Sequence, residues 1–107
     1  METLRLIMVT IPKDEAVKMA KSLVEEKLAA CVNIVGDVES FFFWQGAIQS
    51  DKESMLLIKS TASRFEALRD FVLENHPYEL PEIIALDLSE ASPDYANWVV
   101  SETKAQD

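Results

Sequence analysis

Histidine and cysteine are nearly absent from this sequence, which contains one residue of each type. The single cysteine, Cys31, excludes a disulfide within the chain. Zinc and copper prefer imidazole and thiolate ligands, and the sequence contains no CxxC, HxH or HExxH pattern. The sequence therefore argues strongly against a structural zinc site built within one chain. Only two glycines and four prolines occur, which argues against long disordered linkers.

Positive charge is also scarce, because ten Lys and Arg residues stand against 19 Asp and Glu residues and leave a net charge of −9. A field of this sign repels phosphate backbones, so we expect no nucleic-acid partner, whereas cations and basic surfaces are attracted. No apolar run approaches the ~20 residues of a membrane span, and residues 1–5 lack the basic opening of a signal peptide. We expect a cytoplasmic protein without membrane insertion.

Length and composition predict one globular domain over residues 1–107, since 49% of the residues are hydrophobic and 27% are charged. Residues 4–10 form an apolar, partly β-branched run typical of a central strand. Residues 14–28 carry the apolar stripe of a helix. Further strands are predicted at 29–35, 38–44, 54–59 and 82–88, with turns at 36–37 and 49–52.

Two more helices follow from capping and proline positions. One begins near Thr61 and ends at Asn75, because proline cannot continue a helix at Pro77. The other begins at Ser92-Pro93, before a polar tail that we expect to fray from about Ser101. The order β-α-β-β-α-β plus a C-terminal helix predicts an α+β, ferredoxin-like sandwich, with an antiparallel sheet and two helices on one face.

Residues 76–83 form the most unusual segment, with the sequence His-Pro-Tyr-Glu-Leu-Pro-Glu-Ile. Two prolines fix φ and withdraw backbone donors, so a stiff loop is predicted. A stiff loop that carries His76, Tyr78 and Glu79 can place a ligand-binding group. His76 acting as a general base with Tyr78 or Glu79 is an alternative that rests on one histidine alone.

Four consecutive aromatic residues, Phe41 to Trp44, fall on one predicted strand. Successive side chains of a strand point to opposite faces, so helices can cover only one side of this run. The other side would leave an exposed apolar patch in a monomer. We therefore interpret these aromatics as interface or core residues of an assembly, with contact to a ligand as the alternative.

Several further segments share one family pattern. They are residues 23–33 around the first helix–strand junction, Ser40, Trp44, Gly46 and Ile48, residues 76–83, and Pro93-x-Tyr95-x-x-Trp98. In this order and spacing they resemble the CutA divalent-cation tolerance proteins over nearly the whole chain. The resemblance implies a ferredoxin-like subunit in a tight homotrimer, similar in architecture to PII-type nitrogen-signalling proteins. It also implies a link to copper and other divalent metals rather than a defined reaction.

The chain departs from the family pattern at Phe42 and Phe43. The family usually carries a tyrosine two residues before the tryptophan and a polar or basic residue directly before it. The absence of the phenol at Phe42 removes one hydrogen-bonding or metal-proximal group from this part of the strand.

Candidate metal ligands are His76, Cys31, Glu79 and Glu82, combined at a surface or between subunits to hold copper(II) or another divalent cation. Each has a plainer interpretation. His76 can cap the last carbonyls of its helix, and Cys31 can be a buried small residue on a strand. Glu79 and Glu82 can position the loop or pair with basic side chains. No organic cofactor is predicted.

Two other families that share the predicted order of elements do not fit. Acylphosphatases need an arginine in an early phosphate-binding loop, and the corresponding residues 10–13 contain none. RNA-recognition motifs interleave basic and aromatic residues on a central strand, whereas the run from Phe41 to Trp44 contains no basic residue. Since the chain has neither a nucleophile–base motif nor a glycine-rich phosphate loop, we predict no enzyme.

Two functions of different class are compatible with these features. The first is a trimeric, signalling-like protein that binds metal or a small ligand at clefts between subunits. The second is a structural or anchoring trimer for an unidentified protein partner, with only incidental metal binding. Specific binding would depend on His76, whereas incidental binding would follow the net charge of −9 and fade with salt.

Overall fold

The structure is a computed structural model that describes residues 2–105. Within this range the elements, in chain order, are β1 (Leu4–Ile11), α1 (Lys13–Glu25), β2 (Cys31–Trp44), β3 (Ala47–Thr61), a 3-10 helix (Ala62–Arg64), α2 (Phe65–Asn75), β4 (Ile83–Asp87) and α3 (Pro93–Glu102). The strands form one sheet in the order β2-β3-β1-β4, and every neighbouring pair is antiparallel. The predicted α+β, ferredoxin-like fold is confirmed.

The main core contains side chains from the sheet, α1 and α2. Alternation along β1 places Ile7, Val9 and Ile11 in this core. Leu23 of α1 and Leu68 of α2 are fully buried against them. The helix α3 contributes to a smaller cluster, whose buried members are Leu4, Ala30 and Val99.

The β2–β3 hairpin differs from the sequence-based prediction in two places. The strands predicted at 29–35 and 38–44 are one strand, because Gly36 and Asp37 form a bulge at which the register shifts rather than a turn. The predicted turn at 49–52 is wrong, since these residues belong to β3. The chain reverses instead at Gln45 and Gly46, whose φ angles of 52° and 80° are those that a tight two-residue hairpin requires.

The helices begin and end close to the predicted residues. α2 ends at Asn75, as Pro77 predicts, but its start follows the 3-10 turn, and Thr61 makes no side-chain cap. α3 begins at Pro93 and continues to Glu102, beyond the point at which fraying is predicted. Thr103 is then buried, with its hydroxyl donating to the Val99 carbonyl. The last two residues of the predicted tail lie outside the described range. No helix within residues 2–105 is long and apolar enough to cross a membrane.

Large apolar side chains remain uncovered on the hairpin and on β4. Phe41 is 67% exposed, Phe43 is 74% exposed and Ile48 is 69% exposed, and the last two are directly opposite each other in the β2–β3 ladder. On β4, Ile84 and Leu86 are also exposed. Exposed apolar side chains of this size are typical of an interaction site.

Candidate functional site

A cavity of about 660 Å³ lies between the β2–β3 hairpin and the segment that leads from α2 to β4. We call it the hairpin cleft. Its walls combine aromatic and acidic side chains, among them Phe42, Trp44, Asp51, Glu53, Glu79 and Glu82. Cavities of roughly 300–1,000 Å³ are the usual size of small-molecule sites.

Strand pairing brings the aromatic and acidic walls together. Ser40 of β2 lies opposite Asp51 of β3, and Phe42 lies opposite Gln49. Directly opposed residues share a face of the sheet, and so do residues two apart along one strand. Phe42, Asp51 and Glu53 therefore all face the cleft, which each of them lines.

His76 anchors the segment that forms the other wall. Its imidazole is buried, with Nε2 2.8 Å from the Thr10 carbonyl oxygen and Nδ1 3.1 Å from the Tyr78 backbone nitrogen. A carbonyl can only accept and a backbone N–H can only donate, so the proton is on Nε2 and Nδ1 is the acceptor. The imidazole joins the segment to β1 and does not cap α2. At that helix end the Asn75 amide donates to the Phe71 carbonyl instead.

Tyr78 connects this segment to the hairpin. Its hydroxyl donates a hydrogen bond of 2.8 Å to Glu53 Oε2, and its ring lies 4.7 Å from the imidazole of His76 between centroids. Burial raises the pKa of Tyr78 well above its usual value, and the hydrogen bond and charge of Glu53 raise it further, followed by the charge of Asp51. A phenol that donates to a carboxylate resists ionisation because the phenolate would face a like charge.

Glu53 is the site residue that the sequence analysis missed. It is only 5% exposed, which is unusual for a carboxylate. In the sequence it stands next to an apolar run and is separated from Tyr78 by 25 positions. In the structure β3 extends back to Ala47, and this extension places Glu53 opposite Val38. The sequence would have indicated that the Glu53 side chain faces the cleft only if this extension had been predicted.

The predicted metal ligands are not brought together. Glu79 and Glu82 are exposed and line the hairpin cleft, whereas both ring nitrogens of His76 are engaged. Cys31 lies far from them, because it pairs with Lys59 while Thr10 pairs with Met55. Four residues along a strand correspond to about 13 Å. Within residues 2–105 no group of three or more His, Cys, Asp and Glu side chains is arranged to hold a metal ion.

Cys31 instead contacts the C-terminal helix. Burial raises the pKa of the Tyr95 phenol, and the nearby Cys31 side chain raises it further. The Tyr95 ring lies 5.6 Å from that of Trp98 between centroids. The predicted interpretation of Cys31 as a buried residue is partly met, because its side chain is half-buried.

Comparison with known proteins decides the family. A family model described as CutA1 divalent ion tolerance protein matches residues 5–102. The chain belongs to this family. It is 46% identical over 100 residues to Protein CutA, chloroplastic, of Arabidopsis thaliana. This alignment covers 92% of the chain and 55% of the plant protein. It is 42% identical over 99 residues to the divalent-cation tolerance protein CutA of Thermus thermophilus, covering 92% of this chain and 96% of that protein.

The chain thus spans about half the length of the plant relative and nearly all of the bacterial one. Solved structures of the family agree with the fold. The crystal structure of CutA1 from Oryza sativa has a TM-score of 0.94 at 38% identity and covers 97% of this chain and 96% of that chain. The structure of the divalent cation tolerance protein from Thermus thermophilus has a TM-score of 0.92 at 42% identity and covers 94% of this chain and 99% of that chain. The resemblance predicted from the residues is confirmed.

The raised pKa values of Tyr78 and Tyr95 predict an unusual titration, because these are the two tyrosines of the chain. Free tyrosine ionises near pH 10. We expect the native protein to develop tyrosinate absorbance at 295 nm only above this pH, and the protein in urea to develop it near pH 10. Above this pH the tyrosines of the folded state keep their phenol protons while those of the unfolded state lose them. The free energy of unfolding should therefore fall as the pH rises above about 10.

The variant Tyr78→Phe assigns this behaviour. It should remove the tyrosinate absorbance that develops at the highest pH, about half of the total, and reduce the loss of stability at high pH. Tyr95→Phe should reduce that loss of stability less. Native tyrosines that both titrate near pH 10 would contradict the Tyr78–Glu53 hydrogen bond.

Proposed function

We propose that the protein is a binding protein of divalent-cation tolerance, and not an enzyme, which holds a divalent metal or a small ligand in the hairpin cleft. The observation that carries the proposal is the acidic lining of this cleft. Asp51 and Glu53 of the hairpin and Glu79 and Glu82 of the segment before β4 converge on it from two parts of the chain. Membership of the divalent ion tolerance family supports a cation as the ligand.

We further propose that the protein works as a homotrimer of PII-like architecture. The support for assembly is the apolar surface of the hairpin, where Phe41, Phe43 and Ile48 are exposed in one chain. In such an assembly the hairpin cleft lies at a subunit boundary, because the exposed aromatics and the cleft belong to the same hairpin. A neighbouring subunit can then complete the ligand set.

For copper(II) the proposed ligands are Glu79 and Glu82, together with His76 and the Cys31 of a neighbouring subunit. Carboxylates alone are weak ligands for copper, so the imidazole or thiolate has to contribute. His76 can do so only by giving up a hydrogen bond, and Nδ1 is the atom with a lone pair. Metal binding at His76 would therefore displace the Tyr78 backbone N–H.

The test is a calorimetric titration of chelator-stripped protein with copper(II) at moderate salt. We expect one site per subunit or per trimer, with sub-micromolar affinity, and its loss in the double variant Glu79→Gln/Glu82→Gln. The double variant Glu25→Gln/Glu26→Gln is the matched control, since it removes the same charge from exposed positions at the end of α1. Weak, non-saturating heats that fade with salt and are equal in both variants would contradict a metal site.

A structural or anchoring trimer for a protein partner is the second candidate function. Exposed aromatic rings of Tyr95 and Trp98 on α3 favour it, because they lie on a different element from the cleft. Incidental metal uptake, unaffected by loss of Glu79 and Glu82, is the result expected for this alternative.

A further inference from the structure

The hairpin cleft has walls that suit an organic cation. Phe42, Trp44 and Tyr78 provide aromatic surface, and Asp51 and Glu53 provide negative charge. Among the described residues that line the cleft, none is a lysine or an arginine. Aromatic faces and carboxylates both attract ammonium groups, whereas a metal ion gains little from aromatic faces.

Glu53 supplies a specific acceptor. The residue is only 5% exposed, and its Oε2 is occupied by the Tyr78 hydroxyl. Its other oxygen, Oε1, has no hydrogen-bond partner within residues 2–105. Among those residues Arg64 Nε is the one fully enclosed side-chain polar atom that lacks a partner. Oε1 is therefore not enclosed, and the cleft that Glu53 lines is where it opens.

Oε1 opens into the cleft but belongs to a residue that is only 5% exposed, so few water molecules can solvate it, and a ligand that donates a hydrogen bond to it gains affinity. A primary ammonium group carries three donors and a full charge, and hydrogen bonds of that type are the strong ones. The side chain of Tyr78 holds the carboxylate in place, because its hydroxyl is fixed to Oε2 at 2.8 Å. The acceptor is thus preorganised.

We propose that the hairpin cleft binds a small aliphatic amine, with its ammonium group donating to Glu53 Oε1 and its carbon chain packed on Phe42 and Trp44. This inference rests on the proposed function, of which it names the ligand class. Asp51, Glu79 and Glu82 do not touch the ammonium group in this account but raise its local concentration through their charge. The cavity of about 660 Å³ has room for an amine of several carbons.

The experiment is a titration of ¹⁵N-labelled, chelator-stripped protein with n-butylammonium chloride at pH 7 and constant ionic strength, followed by amide chemical shifts. The amine is fully charged at this pH, as lysine is. We expect saturable shifts confined to the residues around the hairpin cleft. The matched ligand 1-butanol has the same carbon chain without the charge and should cause no saturable shifts there.

Two charge-neutralising variants locate the ammonium group. Glu53→Gln keeps an acceptor for the Tyr78 hydroxyl and should weaken the affinity for n-butylammonium by about tenfold or more. Glu39→Gln removes an exposed carboxylate of β2 that does not line the cleft, and it should bind as the wild type does. If Glu53→Gln does not fold, Asp51→Asn, at an exposed position of the cleft, replaces it and should weaken binding about twofold to fivefold.

The outcomes separate this inference from the proposed function when copper(II) is titrated in parallel. Amine binding that is lost in Glu53→Gln and kept in Glu39→Gln supports the inference. Amine shifts that are unchanged by Glu53→Gln, or that spread over the surface and disappear with salt, overturn it. Copper(II) binding at the cleft without amine binding overturns the inference and leaves the proposed function standing. Binding of neither cation overturns both.

Discussion

The variant His76→Ala should lose about 2–6 kcal/mol of the free energy of unfolding, even when no metal is present. The imidazole makes two hydrogen bonds, one to the Thr10 carbonyl and one from the Tyr78 backbone N–H. Alanine leaves both groups without a partner, and each unsatisfied buried group costs roughly 1–3 kcal/mol. Loss of the ring, which is only 8% exposed, also leaves a cavity.

Urea unfolding in the presence of a chelator measures this loss, with His76→Gln as the matched variant. Glutamine carries both a donor and an acceptor, so it should recover part of the stability. A ligand role alone predicts a different pattern, in which His76→Ala is as stable as the wild type without metal and loses only the stabilisation that copper(II) adds. That pattern would refute the structural role of the imidazole.

The same variant should loosen the hairpin cleft. His76 holds the Tyr78 backbone, and Tyr78 in turn holds Glu53. If the segment is released from β1, the Tyr78 phenol becomes solvated and its pKa moves back toward its usual value near 10. If tyrosinate absorbance develops at a lower pH in His76→Ala than in the wild type, the imidazole helps to fix the geometry of Glu53. The amine-binding inference requires this geometry.

The order of the elements could be predicted from the sequence because local patterns encode it. Apolar runs mark β1 and β4, and Pro77 and Pro93 mark a helix end and a helix start. The errors lie where polarity suggested a turn at 49–52. Exposed residues of a hairpin can be polar without leaving the strand, so polarity is a poor signal of a turn there.

The candidate site was predicted only in part. The stiff segment at 76–83 and the aromatic run indicated where ligand contacts lie, since both carry unusual local sequences. Glu53 could not be predicted, because its importance depends on the β2–β3 register and on a partner 25 positions away. Nothing in the local sequence indicates that His76 uses both nitrogens within the fold, since Thr10 is 66 positions distant.

The second large effect concerns assembly, and Phe43→Glu should abolish it. Phe43 is 74% exposed and lies opposite the exposed Ile48, so a glutamate there costs one chain little. In an assembly that covers this surface the carboxylate would be buried without a partner, at a cost of several kcal/mol. We expect light scattering after gel filtration to give the mass of a folded monomer in place of the proposed trimer.

The control is Leu73→Glu, which introduces the same charge at a half-exposed position of α2. It should leave the proposed trimer intact. Trp44→Ala should weaken this assembly without abolishing it, because truncation of a buried tryptophan costs about 3–5 kcal/mol and Trp44 is already half-covered within its own chain. A Phe43→Glu protein that remains a stable trimer would place the interface elsewhere, with the exposed Ile84 and Leu86 of β4 as the next surface to test.

Because Phe43 also lines the hairpin cleft, a monomer obtained with Ile48→Glu, at the exposed position opposite Phe43 that does not line the cleft, would show how much of the site one chain supplies. Glu53, Tyr78 and His76 are joined by hydrogen bonds within a single chain, so the acceptor for an ammonium group should survive dissociation. The proposed copper(II) site includes Cys31 of a neighbouring subunit, since Cys31 of the same chain is too far from His76. Retained amine binding with lost copper binding in the monomer would therefore assign the first ligand to the fold of one subunit and the second to the assembly.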